Sequence, residues 1–464
     1  MARTALSSLR DAAPSLRVST DAGDLEHYGR DWTRRWAPAP LAVAWPADAD
    51  EVQAILRWAN AERVAIVPSG GRTGLSGGAV AANGELVLSL ERMNRVLGFE
   101  PIDSTLRVQP GLTLQAAHEA AHAHGLLYPV DFAARGSCTI GGNVATNAGG
   151  IRVLRYGNTR EWIAGLAVVT GGGERLDLNR GLIKNSSGYD LRHLMIGSEG
   201  TLGVVVEATL ELTDPPPPSE VMLLGLPDMD ALMRVFASFR ARVGLQAFEF
   251  FTDLALAHVL GAGAQRALDG DHPYYVVAEY DAPDARARDT ALAAFEHGLG
   301  EGWIADGVIA RSEAQAAALW RLREGITESL APLRPYKNDV SVRVAAVPAF
   351  LHEMQALFAS EYPDFEVVWF GHIGDGNLHV NVLKPERLAE DAFVAQCERV
   401  TRQLAATLAR HGGSISAEHG IGLVKRPYLA GTRSDAEIAL MRRVRDAFDP
   451  NRVLNPGKLF ADEA

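Results

Sequence analysis

Apolar residues along this chain change their spacing from block to block, and the spacing separates strands from helices. Residues 41–45, 65–68 and 204–212 are short apolar runs bounded by glycine, proline or polar residues, the form taken by buried strands. Residues 49–60 instead repeat apolar positions three and four apart, which predicts a helix laid on a core. A polar arm ending near Trp36 precedes this alternation. After residue 212 the pattern predicts helices over 229–242, 284–299, 313–330, 391–411 and 435–448. It also predicts strands around 247–251 and 274–280 and a strand pair within 366–383. Between the halves stand Pro215, Pro216, Pro217 and Pro218, which have no N–H to give to a sheet and stiffen the backbone. A domain boundary is expected there, in a chain of α+β texture.

Composition narrows the classes. At 464 residues the chain exceeds one ordinary hydrophobic core, so two large lobes are expected. A net charge of -12 without a long basic run argues against nucleic acid and anionic membranes as partners. An anionic substrate must then be caught by locally placed cations. Cys138 and Cys397 stand far apart and build neither a disulfide framework nor a cysteine metal site; both are expected to be buried, reduced thiols. No apolar run reaches the roughly 20 residues of a spanning helix. Residues 1–18 carry arginines and serines but no apolar signal core, and Asp11, Asp21 and Asp24 oppose a transit segment, so a cytoplasmic protein is expected.

Two glycine-dense segments carry candidate chemistry. Pro68-Ser69-Gly70-Gly71-Arg72-Thr73-Gly74-Leu75-Ser76-Gly77-Gly78 follows directly on a strand, and residues 136–150 mix glycine with Thr139, Asn143, Thr146 and Asn147. Backbone N–H groups approach a pyrophosphate only where side chains are missing, so both segments read as anion cradles for a dinucleotide. Isolated glycine pairs are usually turns; several dense clusters in one half of a chain are not. No G-x-G-x-x-G opens a helix with an acid about 20 positions on, which disfavours a nicotinamide enzyme.

Residues 366–383 read as a hairpin with Asp375-Gly376 as a two-residue turn. That register sets His372 opposite His379, with Cβ atoms about 4.5–5.5 Å apart, close enough to share a metal ion. Phe370 and Asn381 form the next pair on that face. Glu418, in the loop Ser416-Ala417-Glu418-His419-Gly420-Ile421-Gly422, suggests a third ligand, giving a zinc-type set with a position open for substrate. His118, His122 and His258 have no such company and read as surface or core residues. Arg323 and Thr327 lie one turn apart on the helix over 313–330, and Lys337 adds a cation on an extended segment; a guanidinium is a natural bidentate partner for a carboxylate.

The segment from Pro68 to Gly78, the run Gly141-Gly142-Asn143-Val144-Ala145-Thr146-Asn147-Ala148-Gly149-Gly150 and Gly197-Ser198-Glu199-Gly200-Thr201-Leu202-Gly203 resemble the FAD-binding segments of the vanillyl-alcohol oxidase/p-cresol methylhydroxylase fold family. The resemblance implies an arm over 1–37 and a two-lobed FAD-binding domain over 38–214. It also implies an α+β substrate and metal domain with an antiparallel sheet over 215–415, and a C-terminal helical segment over 416–464 that completes the active site. It assigns to FAD Pro68, Ser69, Gly70, Gly71, Arg72, Thr73, Gly74, Gly77, Gly78, Pro129, Gly136, Thr139, Gly141, Gly142, Asn143, Thr146, Asn147, Gly149, Gly150, Glu199, Gly200, Gly203 and Asn455. Members often attach FAD through a histidine of the first loop; Arg72 stands there, which implies non-covalent FAD.

The motifs His372-Ile373-Gly374-Asp375-Gly376-Asn377-Leu378-His379 and Ser416 to Gly422 resemble the C-terminal signature of the FAD-linked D-2-hydroxy acid dehydrogenases, a branch that acts on D-lactate and D-2-hydroxyglutarate. There His372, His379 and Glu418 correspond to zinc ligands, His419 to the catalytic base, and Arg323, Thr327, Lys337 and Asn381 to substrate-binding residues. Thr327 to Lys337 is one residue shorter than in that pattern. The implied reaction takes a metal-bound D-2-hydroxy acid to its 2-oxo acid with hydride transfer to flavin N5. An arginine and a lysine together favour a dicarboxylate such as D-2-hydroxyglutarate, with D-malate as a co-substrate and D-lactate or glycolate as alternatives. An electron-transfer flavoprotein or a quinone is the implied acceptor, and a homodimer is compatible. Two other readings remain: a flavin-carrying subunit of an electron-transfer complex, and a metal hydrolase that leaves the glycine loops unexplained.

Overall fold

The proline run is where the chain changes from one structural unit to another. In the computed structural model, which describes residues 2–461, one unit takes the chain up to Gly150, Tyr156–Pro215 and the chain from Glu418 on; the other takes Ile151–Arg155 and Pro216–Ala417.

The first unit holds two sheets. Strands β1 (Arg17–Ser19), β2 (Ala42–Trp45), β3 (Ile66–Ser69) and β4 (Leu86–Ser89) run in the order β1-β2-β4-β3, with β2 and β3 parallel to β4. Strands β5 (Val96–Glu100), β6 (Thr105–Val108), β7 (Ile163–Thr170), β8 (Arg175–Leu178) and β9 (Gly203–Glu211) form an antiparallel sheet in the order β5-β6-β9-β7-β8. All eight residues of β7 are buried because its two faces serve two cores. Leu166 and Val168 enter one apolar cluster while Ala167 and Val169 enter the other, the two-residue period of a strand covered on both sides. The helix Ala49–Glu62 is capped by Asp48, whose side chain accepts from the Asp50 and Glu51 N–H groups, and buries Val52, Ile55, Leu56 and Ala59.

The arm is not a polar appendage. Its helix Ala2–Ala12 seats Leu9, with Ala13 and Leu16 behind it, in the same cluster as the helix Ala49–Glu62. Its arginines, serines and acids made the segment read as a polar arm, so no helix was predicted there.

The second unit is built on one antiparallel sheet of seven strands: β10 (Ser219–Leu226), β11 (Leu245–Thr252), β12 (Tyr274–Asp281), β13 (Asp306–Ile309), β14 (Tyr336–Ser341), β15 (Val367–Gly371) and β16 (Asn377–Val382). Their order is β13-β10-β12-β11-β15-β16-β14. The helix Glu313–Leu330, capped by Ser312, lays Leu319, Leu322, Ile326 and Leu330 against Phe251, Val277, Val368 and Phe370 of that sheet. Both cysteines are buried, and burial pushes the Cys138 thiol up to about 11. Among the described residues no helix is long and apolar enough to cross a membrane.

Candidate active site

In the first unit the glycine loops meet each other. The loop after β3 opens no helix, whereas 136–150, read as a loop, contains the short helix Ile140–Thr146 with Thr139 at its N-cap. A Cβ on Gly70 would collide with Thr139 Oγ1, and one on Gly71 with the Ser137 carbonyl oxygen. The two segments therefore pack in direct contact at these glycines, backbone against backbone at Gly71 and against the Thr139 hydroxyl at Gly70. Ser69 Oγ, Thr139 Oγ1 and Asn143 Nδ2 are buried there with no hydrogen-bond partner among the described residues. Buried polar atoms normally have partners, so these three fit a bound polar cofactor. Gly74, by contrast, is exposed with open space about it. Asn455, buried and at φ 44°, donates from Nδ2 to the carbonyls of Gly78 and Glu199, tying the first loop to the third. Gly77 N–H donates to Asp31, and the Arg72 guanidinium stands 4.3 Å over the Tyr28 ring. Asp31 and Tyr28 were not legible as site residues because the polar arm has no spacing that marks them.

Gly71 supports a direct test. Because backbone, not a flexible side chain, blocks its Cβ, Gly71→Ala is expected to cost about 1–3 kcal/mol locally and to weaken FAD retention roughly tenfold or more. The ratio of visible flavin absorption to protein absorption after gel filtration measures it; full retention would show that the loops need not pack this closely.

Glu199, assigned by resemblance to FAD, has a second task in this unit. Its buried carboxylate accepts from the N–H groups of Ile421 and Gly422 at 2.7 and 2.8 Å, while Leu423 and Val424 donate to the Ser76 carbonyl. Burial raises its pKa, opposed by those two N–H groups. Gly420 at φ 81° lets the chain pass so close that a Cβ would stand 2.9 Å from the Glu199 carboxyl carbon. The loop bearing Glu418 and His419 is thus held on the first glycine loop, with His419 Nε2 3.6 Å from Glu418.

In the second unit the expected hairpin forms with a different register. β15 and β16 pair Val368 with Asn381 and Phe370 with His379, not Phe370 with Asn381 or His379 with His372. The turn is longer: Asn377 N–H returns to the His372 carbonyl, so four residues, Ile373 to Gly376, form the loop. Gly376 takes φ 83°, where a Cβ would strike the Val342 carbonyl. The slip is by two residues, an even number, so both histidines stay on the predicted face as diagonal neighbours. Their ring centroids lie 5.3 Å apart.

Each histidine has a buried acid behind it. Both oxygens of Glu249 lie 2.8 Å from His372 Nδ1, and Asp339 Oδ1 lies 3.5 Å from His379 Nδ1. Asp339 also accepts from Asn377 Nδ2 at 2.8 Å, and its carbonyl accepts from the N–H of Ala417, the residue before Glu418. Burial drives the His379 pKa down to about 4 against the opposing pull of Asp339, so its ring is neutral at pH 7, the form that binds metals. Burial alone would raise Glu249, but His372 and Arg323 outweigh it and hold the acid below the usual carboxylate range. Two imidazoles oriented by carboxylates are a donor set suited to a divalent ion such as Zn²⁺.

Arg323 is buried, 2.8 Å from Glu249 through Nη2 but off the line of a hydrogen bond, with its guanidinium 4.8 Å over the Phe370 ring. Its Nε has no partner among the described residues. Lys337, exposed, is paired in register with buried Asn381 on this face, and Thr327 is exposed one turn beyond Arg323. Glu249 and Asp339 were missed by sequence reasoning; the available signal for Glu249 was a lone acid inside the apolar strand run Ala247-Phe248-Glu249-Phe250-Phe251.

The chain matches the model of the FAD binding domain over residues 40–179 and that of the C-terminal domain of FAD linked oxidases over residues 215–459. D-2-hydroxyglutarate dehydrogenase of Xanthomonas citri pv. viticola is 68% identical over 98% of this chain and 96% of its own length. The enzyme of that name from Stutzerimonas stutzeri is 53% identical over 96% of each chain. The solved structure of p-cresol methylhydroxylase with substrate bound superimposes with TM-score 0.74 at 15% identity, covering 99% of this chain and 97% of that one, which shows a shared fold. Two models spread over both units, and relatives this similar along nearly the full length, establish that the chain belongs to the FAD-linked oxidase family, in the group of the D-2-hydroxyglutarate dehydrogenases.

Proposed function

We propose that this chain is an FAD-dependent dehydrogenase that oxidises D-2-hydroxyglutarate to 2-oxoglutarate. The observation that carries the substrate is one sheet face of the second unit, where the His372 and His379 rings stand 5.3 Å apart, Arg323 lies over Phe370 and Lys337 pairs in register with Asn381. When bound, FAD supplies the hydride acceptor and a divalent metal supplies Lewis acidity.

The chain's own residues do the rest. His372, His379 and Glu418 hold the metal, which is Zn²⁺. His419 removes the proton of the substrate hydroxyl. Arg323 and Lys337 bind substrate carboxylate oxygens, with Thr327 and Asn381 adding hydrogen bonds, and so fix which hydrogen at C2 faces the cofactor. FAD stays non-covalent because Arg72 offers no nucleophile for attachment. The enzyme works in the cytoplasm and passes its electrons to an electron-transfer flavoprotein or a quinone.

Anaerobic bleaching of the flavin tests the substrate. D-2-Hydroxyglutarate is expected to bleach it rapidly, the L-enantiomer not at all, and D-lactate slowly; rapid bleaching by D-lactate alone would overturn the dicarboxylate assignment. In Lys337→Met the KM for D-2-hydroxyglutarate is expected to rise about tenfold, the loss of one charge-assisted contact, while turnover of D-lactate is unchanged. An equal rise for both substrates would place Lys337 outside distal carboxylate recognition.

A further inference from the structure

Glu249 stands on β11 with 1% of its surface exposed. Its strand pairs with β15 through Phe250 and Gly371 and through Phe251 and Phe370, and continuing that ladder sets Glu249 opposite His372. One carboxylate therefore faces two groups with different tasks. Its oxygens lie 2.8 Å from His372 Nδ1, and one of them lies 2.8 Å from Nη2 of Arg323. Arg323 is 5% exposed and comes from the helix Glu313–Leu330, whereas His372 is the residue that follows β15. No other carboxylate is paired with Arg323 among the described ion pairs.

We propose that Glu249 is a positioning residue that couples the metal to the substrate's distal carboxylate. With Nδ1 turned to Glu249, His372 presents Nε2 as its ligand atom, and the anion behind the ring raises the ring's basicity. The same anion neutralises the buried guanidinium of Arg323 and fixes its plane over Phe370, so that Nε and the remaining N–H donors are set in one orientation for a carboxylate. An amide at this position keeps the volume but loses the charge. His372 is then held by a weaker acceptor, and Arg323 becomes a buried cation without a counter-ion, free to draw the substrate carboxylate into its own compensation instead of meeting it in a fixed plane. Metal affinity and substrate discrimination then fall together, although the two functions reside on different elements.

This inference rests on the proposed metal and dicarboxylate chemistry, and the test separates the two. The full chain, loaded with FAD and stripped of metal, is titrated with Zn²⁺ in competition with a chromophoric chelator, as wild type, Glu249→Gln and Glu249→Asp. The preference for D-2-hydroxyglutarate over D-lactate, as a ratio of kcat/KM values, is measured on the Zn²⁺-saturated proteins. Glu249→Gln is expected to weaken Zn²⁺ binding about 10–100-fold and to shrink the preference about tenfold. Glu249→Asp, which keeps the charge one methylene farther away, should restore part of both, and it stands in where Glu249→Gln fails to fold. A carboxylate that merely stabilises the sheet would lower the melting temperature and move neither quantity. A folded Glu249→Gln with Zn²⁺ affinity and preference both within about twofold of wild type overturns the coupling alone. Wild-type protein that binds no Zn²⁺ overturns the metal assignment and the coupling with it.

Discussion

Metal removal is expected to lower the rate at which D-2-hydroxyglutarate reduces the flavin by about 10³-fold or more, and added Zn²⁺ to restore it. Lewis-acid stabilisation of a developing oxyanion is worth several kcal/mol, and about 4 kcal/mol is a factor of 10³. The geometry of the second unit supports an effect of this size. His372 and His379 approach each other at 5.3 Å between ring centroids, each against a buried acid, and His379 has its pKa lowered to about 4. His379, kept neutral by burial, stands beside His372 with its ring in the form that a metal ion takes as ligand. His379→Ala should reproduce the chelated rate and should not respond to added Zn²⁺, with the flavin spectrum unchanged. A chelated protein that keeps its rate, with metal removal verified by elemental analysis, would remove His372, His379 and Glu418 from the chemistry.

The hairpin shows how far sequence reading reaches and where it stops. Periodicity of two is a property of the strand, so the shared face of His372 and His379 was legible from their spacing. The turn type was not: Asp-Gly favours a two-residue turn, yet the chain closes a four-residue loop because Gly376 is taken up against the Val342 carbonyl, a contact with a segment more than 30 residues earlier. Parity survived the error and the facing residues did not. The helices at 229–242, 313–330 and 435–448 were legible to the residue, since each begins at a capping Asp or Ser followed by a regular apolar stripe. Residues whose task is to hold other residues were the illegible ones. Glu249, Asp339 and Asp31 act through partners between 38 and 123 positions away or, for Asp31, 46 away, and no local pattern reports such a pairing. Glu199 was legible as part of a glycine motif, but its hydrogen bonds to Ile421 and Gly422 link positions more than 220 residues apart.

Replacing His419 by Asn is expected to lower kcat by about 10²–10⁴-fold, the range for loss of a general base, while FAD content and Zn²⁺ affinity stay near wild type. An alcohol gives up its C2 hydride readily only as its hydroxyl proton leaves, so the group that takes the proton governs the rate without binding the cofactor. His419 is placed for that by its loop: Glu199 grips the N–H groups of Ile421 and Gly422, Leu423 and Val424 are anchored on Ser76, and Gly420 and Gly422 take positive φ to make the turn. His419, the proposed base, is thereby fixed to the glycine loop expected to hold FAD. Two readouts separate this role from a structural one. Added imidazole should recover part of the lost rate in His419→Asn, because the missing group is a proton acceptor, and the rate should rise with pH where hydroxide replaces it. Glu199→Gln, which keeps His419 but loosens its loop, should lose less of kcat and show no recovery with imidazole. A His419→Asn protein within about tenfold of wild type would assign the proton to another group.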